Sequence, residues 1–266
     1  MLPLNSTELP PDPPFSDEYE DDYVRRIYNE EITKNTLDKT YHELTGGYLQ
    51  SGAEKGFKGK VADFGDFSPE GITIRSIRKN IFQFSAAKQY QQVVTMSDFI
   101  YENGLKSPYT EFKKLAKTVF DVYNKNYLKT EYATAVGQAQ SARDWLHFEK
   151  NKEEFPWLKY HTQLDGHVRD QHAALEGLTA RVDDPIWRHY APKNGWNCRC
   201  FLTQEMKGKR SNRELPEFGT PEFPEVFDMN PGIDKLIFDP AKHPYFFVEK
   251  GDKDLKDNNF NLYVPN

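Results

Sequence analysis

The residue types best suited to chemistry sit late in the chain: His172, Cys198 and Cys200. Cysteine thiolates and histidine nitrogens are the usual tetrahedral zinc ligands, and a Cys-x-Cys pair in an extended segment turns both sulfurs to one side. Folding would have to bring His172 to that pair, with His161, His167, His189 or His243 as a fourth ligand. Zinc is therefore the one cofactor the sequence offers. The competing reading is two thiols packed as small hydrophobes with His172 hydrogen-bonded nearby, since one Cys-x-Cys lacks the doubled Cys-x-x-Cys of most structural zinc sites. Cα atoms roughly 6.5–7 Å apart lie at the edge of disulfide geometry, so reduced thiols are expected. His167 and His172 are five residues apart and do not share a helical face. The remaining candidates are acids: Asp165, Asp170, Asp183 and Asp184. There is no His-Glu-x-x-His, no Gly-x-Ser-x-Gly, no phosphate-binding loop and no dinucleotide fingerprint, so no residue is assigned a catalytic role.

These groups need a scaffold. Residues 155–203 alternate short apolar runs, at Trp157-Leu158 and Cys200-Phe201-Leu202, with Gly, Pro and Asp turns and one amphipathic turn at Asp170–Leu175. That texture predicts a small α+β unit. Asp183-Asp184-Pro185 reads as a turn within it, because the residue before proline avoids the helical region. Upstream, Tyr23, Ile27, Tyr28, Ile32, Tyr41 and Leu44 recur at helical spacing, with Gly46 and Gly47 as a stop and a loop from Gly47 to Ser68. A second helix is predicted over Ala86–Glu102, closed by Gly104. A third starts at Ser107-Pro108 as cap and first turn and presents Phe112, Leu115, Val119, Val122 and Tyr123. A fourth, over Tyr127–Lys150, carries Leu128, Tyr132, Ala135, Ala139, Ala142 and Leu146; its small residues suit close approach to another backbone at the centre of a bundle.

The expected fold class is α+β: a helical N-terminal bundle with long helices, a small α+β module and an extended C-terminal tail. The expected boundaries are an extended arm over 1–19, a helical domain over 20–150, the module over 151–205 and a Pro/Phe-rich tail over 206–266. The arm holds Pro3, Pro10, Pro11, Pro13 and Pro14, and is either loose or docked on a neighbouring subunit. In the tail, prolines exclude long helices while Phe218, Phe223, Phe227, Phe238, Phe246 and Phe247 require burial, on its own core or a neighbour's.

Hydrophobic residues make up 37% and charged residues 29% of 266, and the mean hydropathy is −0.81; such a surface suits an elongated molecule with partners. A net charge of −6 denies the whole surface the positive field of non-specific DNA binding. Any DNA or acidic-protein contact would be local, at Lys207, Lys209, Arg210 and Arg213. No stretch reaches the roughly 18 apolar residues of a membrane span, and no basic-then-apolar leader opens the chain, so a soluble, unexported protein without a membrane partner is expected.

The strings LDGHVRDQHAALEGLTARVDDPIW and APKNGWNCRC resemble the signature of the phage Mu F-like head morphogenesis family, and LKTEYATAVGQAQSARDW resembles its preceding helix. The resemblance spans roughly Ser85 to Phe246, with Asn230-Pro231-Gly232 and His243-Pro244-Tyr245 in its tail; Lys193 departs from a common proline. Position by position it falls on Thr130, Glu131, Asp165, Val168, Arg169, His172, Leu175, Gly177, Asp183, Asp184, Pro185, Trp187, Asn194, Gly195, Trp196, Cys198, Arg199 and Cys200. It implies structural rather than catalytic roles for them. On residue chemistry alone, Arg169 or Arg199 can pair with Asp165, Asp183 or Asp184 to lock loops together. It also implies a minor head protein of a tailed phage or prophage, acting in head morphogenesis at or near the portal vertex and in DNA packaging or retention. Its partners would be the portal protein, the major capsid or scaffolding protein and packaged DNA, in the virion head and in host cytoplasm during assembly. The alternative on the same module is a metal-dependent hydrolase or a phage-delivered toxin.

Overall fold

The computed structural model describes residues 9–265; Pro3 and the rest of the arm's first eight residues lie outside them. The fold is α+β, long helices with two small sheets, and it forms two compact units. One gathers Gly52–Ile77 and Ala133–Lys242; the other gathers Pro10–Ser51, Arg78–Tyr132 and the residues from His243 onward. Residues 133–150, expected with the bundle, therefore cluster with the α+β segment, because Trp145 and Phe148 belong to its core.

In the helical unit, α1 (Asp17–Tyr28) starts at Ser16, whose hydroxyl accepts the Tyr19 amide at 3.1 Å. The first predicted helix is in fact two. Asn29 to Asp38 leaves the helix, with Glu30 at φ 60° and a Thr33–Thr36 bridge, before Asp38 caps α2 (Lys39–Phe57) by accepting the Tyr41 amide at 2.7 Å. Gly46 and Gly47 do not stop α2. A Cβ on Gly46 would meet the Phe82 ring at 2.8 Å, so the glycine serves close packing, and the predicted loop is helical from Gly47 to Phe57. α3 (Pro69–Ser97) is longer than expected at its start and shorter at its end: Ser68 caps it, accepting the Gly71 amide at 3.0 Å, with Pro69 in the first turn. Its C-terminal end gives way to a hairpin, β1 (Tyr101–Glu102) and β2 (Leu105–Lys106), around Asn103 and Gly104, both with positive φ.

α4 (Tyr109–Asp121) begins one residue later than predicted. Pro108 is its cap, while the Ser107 amide closes the hairpin on the Ile100 carbonyl at 2.8 Å. Its buried stripe is Phe112, Ala116 and Phe120 rather than Leu115, which is exposed. A π-helical turn over Val122–Tyr127 then leads into α5 (Leu128–Asn151). The core joins Tyr23, Ile27, Tyr41, Val93, Met96, Phe112 and Phe120, and the described part of the arm adds Phe15, whose ring packs on Tyr19, Tyr41 and Phe120. The arm is further tied by the Tyr48 hydroxyl to the Pro11 carbonyl (2.6 Å) and by Lys129 to Asp12 (2.9 Å).

The second unit is built on α5 and a three-stranded antiparallel sheet. β3 (Trp157–His161) is central, flanked by β4 (Thr179–Arg181) and β5 (Phe201–Glu205), with Leu158 opposite Ala180 and Gln204. Small residues on α5 admit a neighbouring backbone: a Cβ on Gly56 of α2 would stand 2.0 Å from the Val136 carbonyl oxygen. The core contains Trp145, Phe148, Leu158, Tyr160, Leu175, Ala180, Trp187 and Cys200, closed by Phe223. Phe223 belongs to the tail, so the first part of the tail covers its own unit, and the Ser211 amide bonds the Thr179 carbonyl at 2.8 Å along β4. The tail is largely irregular, broken only by short helical turns.

Candidate metal centre

α6 (Asp170–Ala173) carries His172, and the segment entering β5 carries Cys198 and Cys200. His172 Nδ1 lies 3.4 Å from Cys198 Sγ and 3.6 Å from Cys200 Sγ, and all three ligand atoms fall within 4.8 Å of one another. His172 and Cys200 are buried, and both cysteines are free thiols. The other imidazole nitrogen, Nε2, meets the Glu222 carbonyl at 3.1 Å, and the Phe223 ring stands edge-on to the imidazole. A bond of Nε2–H to a carbonyl leaves Nδ1 as the lone-pair atom facing the sulfurs.

Burial pushes the Cys198 thiol up, but the hydrogen bond from Cys200 and the Lys193 charge act against it and hold Cys198 well below the usual thiol range. Cys200 moves the opposite way, through its bond to Cys198 and through burial. Lys193, which the sequence marked only as a departure, reaches the Cys200 carbonyl with Nζ at 2.7 Å, while Gln138 Nε2 bonds the Lys193 carbonyl at 3.1 Å. Beside the three ligands opens a pocket of about 30 Å³, walled by Gln163, His167, Arg169 and Arg199.

The loops around the site are fastened by motif residues. Arg199 grips Asp165 through two bonds of 2.7 Å, holding that carboxyl down at about 2. Asp165 also accepts the His167 amide at 3.1 Å, and the Val168 amide bonds the Asp165 carbonyl. Arg169 donates to the Trp196 carbonyl at 2.6 Å, and the Trp196 ring meets Phe227 edge-on. Asn194, fully buried, accepts the Tyr160 hydroxyl at 3.0 Å and donates to the Ala191 carbonyl at 2.9 Å. Trp187, on α7 (Trp187–Tyr190), is fully buried and sends its indole N–H to the Arg181 carbonyl at 2.8 Å. Asp184 caps the turn before α7 by accepting the Ile186 amide, beside Pro185, and pairs with Arg210 at 2.6 Å. Asp183 pairs with Arg181 on the surface. Gly177 turns at φ 71° and bonds the Tyr160 carbonyl, and Leu175 is buried.

Several candidates stand elsewhere. His161 bonds the Thr203 hydroxyl and faces Glu176, His189 faces Asp228, and His243 packs with Phe84 in the helical unit. Asp170 is exposed at the start of α6. Of the basic cluster, Arg210 is committed to Asp184 and Arg213 to the Leu175 and Glu176 carbonyls, which leaves Lys207 and Lys209 exposed. Glu131 on α5, beside half-buried Thr130, is itself buried and bound by Lys88 at 2.8 and 2.9 Å. Burial raises the Glu131 carboxyl and lowers the Lys88 amine from their usual ranges, each against the partner's charge. Sequence reading missed Lys88; its signal is a lone lysine inside FSAAKQYQQVV. It also missed Tyr160, and the Glu222 carbonyl, being backbone, leaves no signal.

Among described residues, no helix is long and apolar enough to cross a membrane. No solved structure matches the chain. It is 32% identical over 108 residues to the Mu-like prophage FluMu F protein of Haemophilus influenzae, covering 41% of this chain and 25% of that protein. It is 33% identical over 73 residues to the "Putative capsid assembly protein F" of Escherichia phage Mu, covering 27% of this chain and 17% of the relative. The chain thus aligns with a quarter or less of either relative's length. The family model described as Phage Mu protein F like protein matches residues 71–203, half of the chain, spanning α3 to β5 with His172, both cysteines and the Asp165–Arg199 clamp inside it, and the chain belongs to that family.

Proposed function

We propose that this chain is a minor head protein of a tailed phage or prophage, acting in head assembly at or near the portal vertex. The observation that carries the reading is how the shared motif is used. Asp165, Arg169, Asp184, Trp187, Asn194 and Arg199 each bond another part of the same unit. The pocket that Arg169 and Arg199 help to wall, about 30 Å³, is roughly a tenth or less of a substrate-sized cavity. Such residues preserve a shape for a partner to recognise. The capsid-assembly name of the phage Mu relative supports the same reading. The portal protein is the first partner, with the major capsid or scaffolding protein next. Packaged DNA has Lys207 and Lys209 as its candidate contacts. The test is sedimentation velocity of the chain with the portal assembly of its own phage. Co-sedimentation at salt that suppresses charge-only association supports the proposal, and a chain that remains in the slow boundary at every ratio rejects it.

A further inference from the structure

We propose that His172 Nδ1, Cys198 Sγ and Cys200 Sγ hold one zinc ion, with water from the adjoining pocket as the fourth ligand. This is independent of the assembly reading. With Zn–S near 2.3 Å and Zn–N near 2.0–2.1 Å, tetrahedral coordination sets a ligand sulfur about 3.6 Å from a ligand nitrogen. The two distances here are 3.4 and 3.6 Å. A thiol–imidazole hydrogen bond explains one of them, since neutral Nδ1 has a single lone pair, and the second sulfur at the same atom calls for a shared centre.

The surroundings suit an ion. Ligating histidines characteristically donate their other N–H to a carbonyl, as Nε2 does here to Glu222. Gly195 packs against that bond: a Cβ there would be in ordinary contact with Nε2 at 3.4 Å and the Glu222 oxygen at 3.5 Å, and tight against Arg169 Nη1 at 3.2 Å. Two thiolates and Zn²⁺ sum to zero charge, which a buried centre tolerates. A pocket of about 30 Å³ takes a water. Zinc at this point would tie α6 to the start of β5, linking segments 26 and 28 residues apart within a unit whose sheet has only three strands.

The test uses the full chain, reduced without thiols, stripped with chelator and titrated with Co²⁺ and then Zn²⁺. One equivalent of cobalt is expected to give thiolate-to-metal charge transfer in the near ultraviolet and visible bands of tetrahedral intensity, both abolished by one equivalent of zinc. Cys198→Ser and Cys200→Ser should each weaken the charge-transfer band. Circular dichroism checks that each variant is folded, and the unsubstituted chain is informative alone. Absence of the charge-transfer band in it, or zinc binding unchanged in folded Cys198→Ser and Cys200→Ser, overturns the proposal.

Discussion

Lys88 on α3 and Glu131 on α5 form a buried ion pair, both carboxylate oxygens within 2.9 Å of the ammonium and both side chains at most 4% exposed. The Tyr123 and Tyr245 rings flank the ammonium at 5.4 and 5.2 Å. Removing one partner strands a buried charge, so Glu131→Gln or Lys88→Met should cost about 3–5 kcal/mol in urea unfolding. The paired substitution Lys88→Met with Glu131→Leu should recover most of that loss. Equal losses in single and double variants would show that the pair's charge is not what the fold depends on.

Two glycines of α2 should respond oppositely. Gly56→Ala brings a methyl to 2.0 Å from the Val136 carbonyl and should destabilise by about 1–3 kcal/mol. Gly47 is exposed in the same helix with nothing within 4 Å of a Cβ, and Gly47→Ala should stabilise by up to about 1 kcal/mol. Thermal melts of both variants decide; a stable Gly56→Ala would contradict the α2–α5 approach.

Burial, reinforced by the Lys88 charge, pushes His243 from 6.5 down to about 3. The fold therefore keeps this imidazole neutral while the unfolded chain protonates it, and stability drains as pH falls from about 6.5 towards about 3, by up to ~1.4 kcal/mol per pH unit. Glu131, raised by burial, opposes the trend nearby. His243→Asn, which keeps an acceptor for the Tyr245 amide, should flatten the decline. An unchanged slope would assign the acid sensitivity to other groups.

The Phe/Pro tail should be structural. Phe223 is fully buried and touches His172, so Phe223→Ala should cost about 3–5 kcal/mol. Truncation after Thr203 should expose the same core to a hydrophobic dye. A truncated chain with native near-ultraviolet dichroism would mean the module closes without it.

Much of this was legible in the sequence where a residue's neighbours are local. The period of α5, the turn at Asp183-Asp184-Pro185 and the strands at Trp157 and Phe201 follow from spacing and turn chemistry. Errors arose where distant contacts decide. Gly46 reads as a stop until Phe82 is packed on it, and Leu115 fits a stripe whose buried face is set by Ala116 and Phe120. At the site, residue types pointed to His172, Cys198 and Cys200. What orients them, the Glu222 carbonyl and the space at Gly195, is backbone geometry that side-chain patterns do not encode.

The most direct measurement of the central claim is quantitative mass spectrometry of procapsids assembled with and without the portal protein of the same phage. The account predicts this chain in portal-bearing particles, at copy numbers far below the major head protein, and its loss from portal-free particles. Equal amounts in both, or its absence from portal-bearing particles throughout assembly, would contradict it.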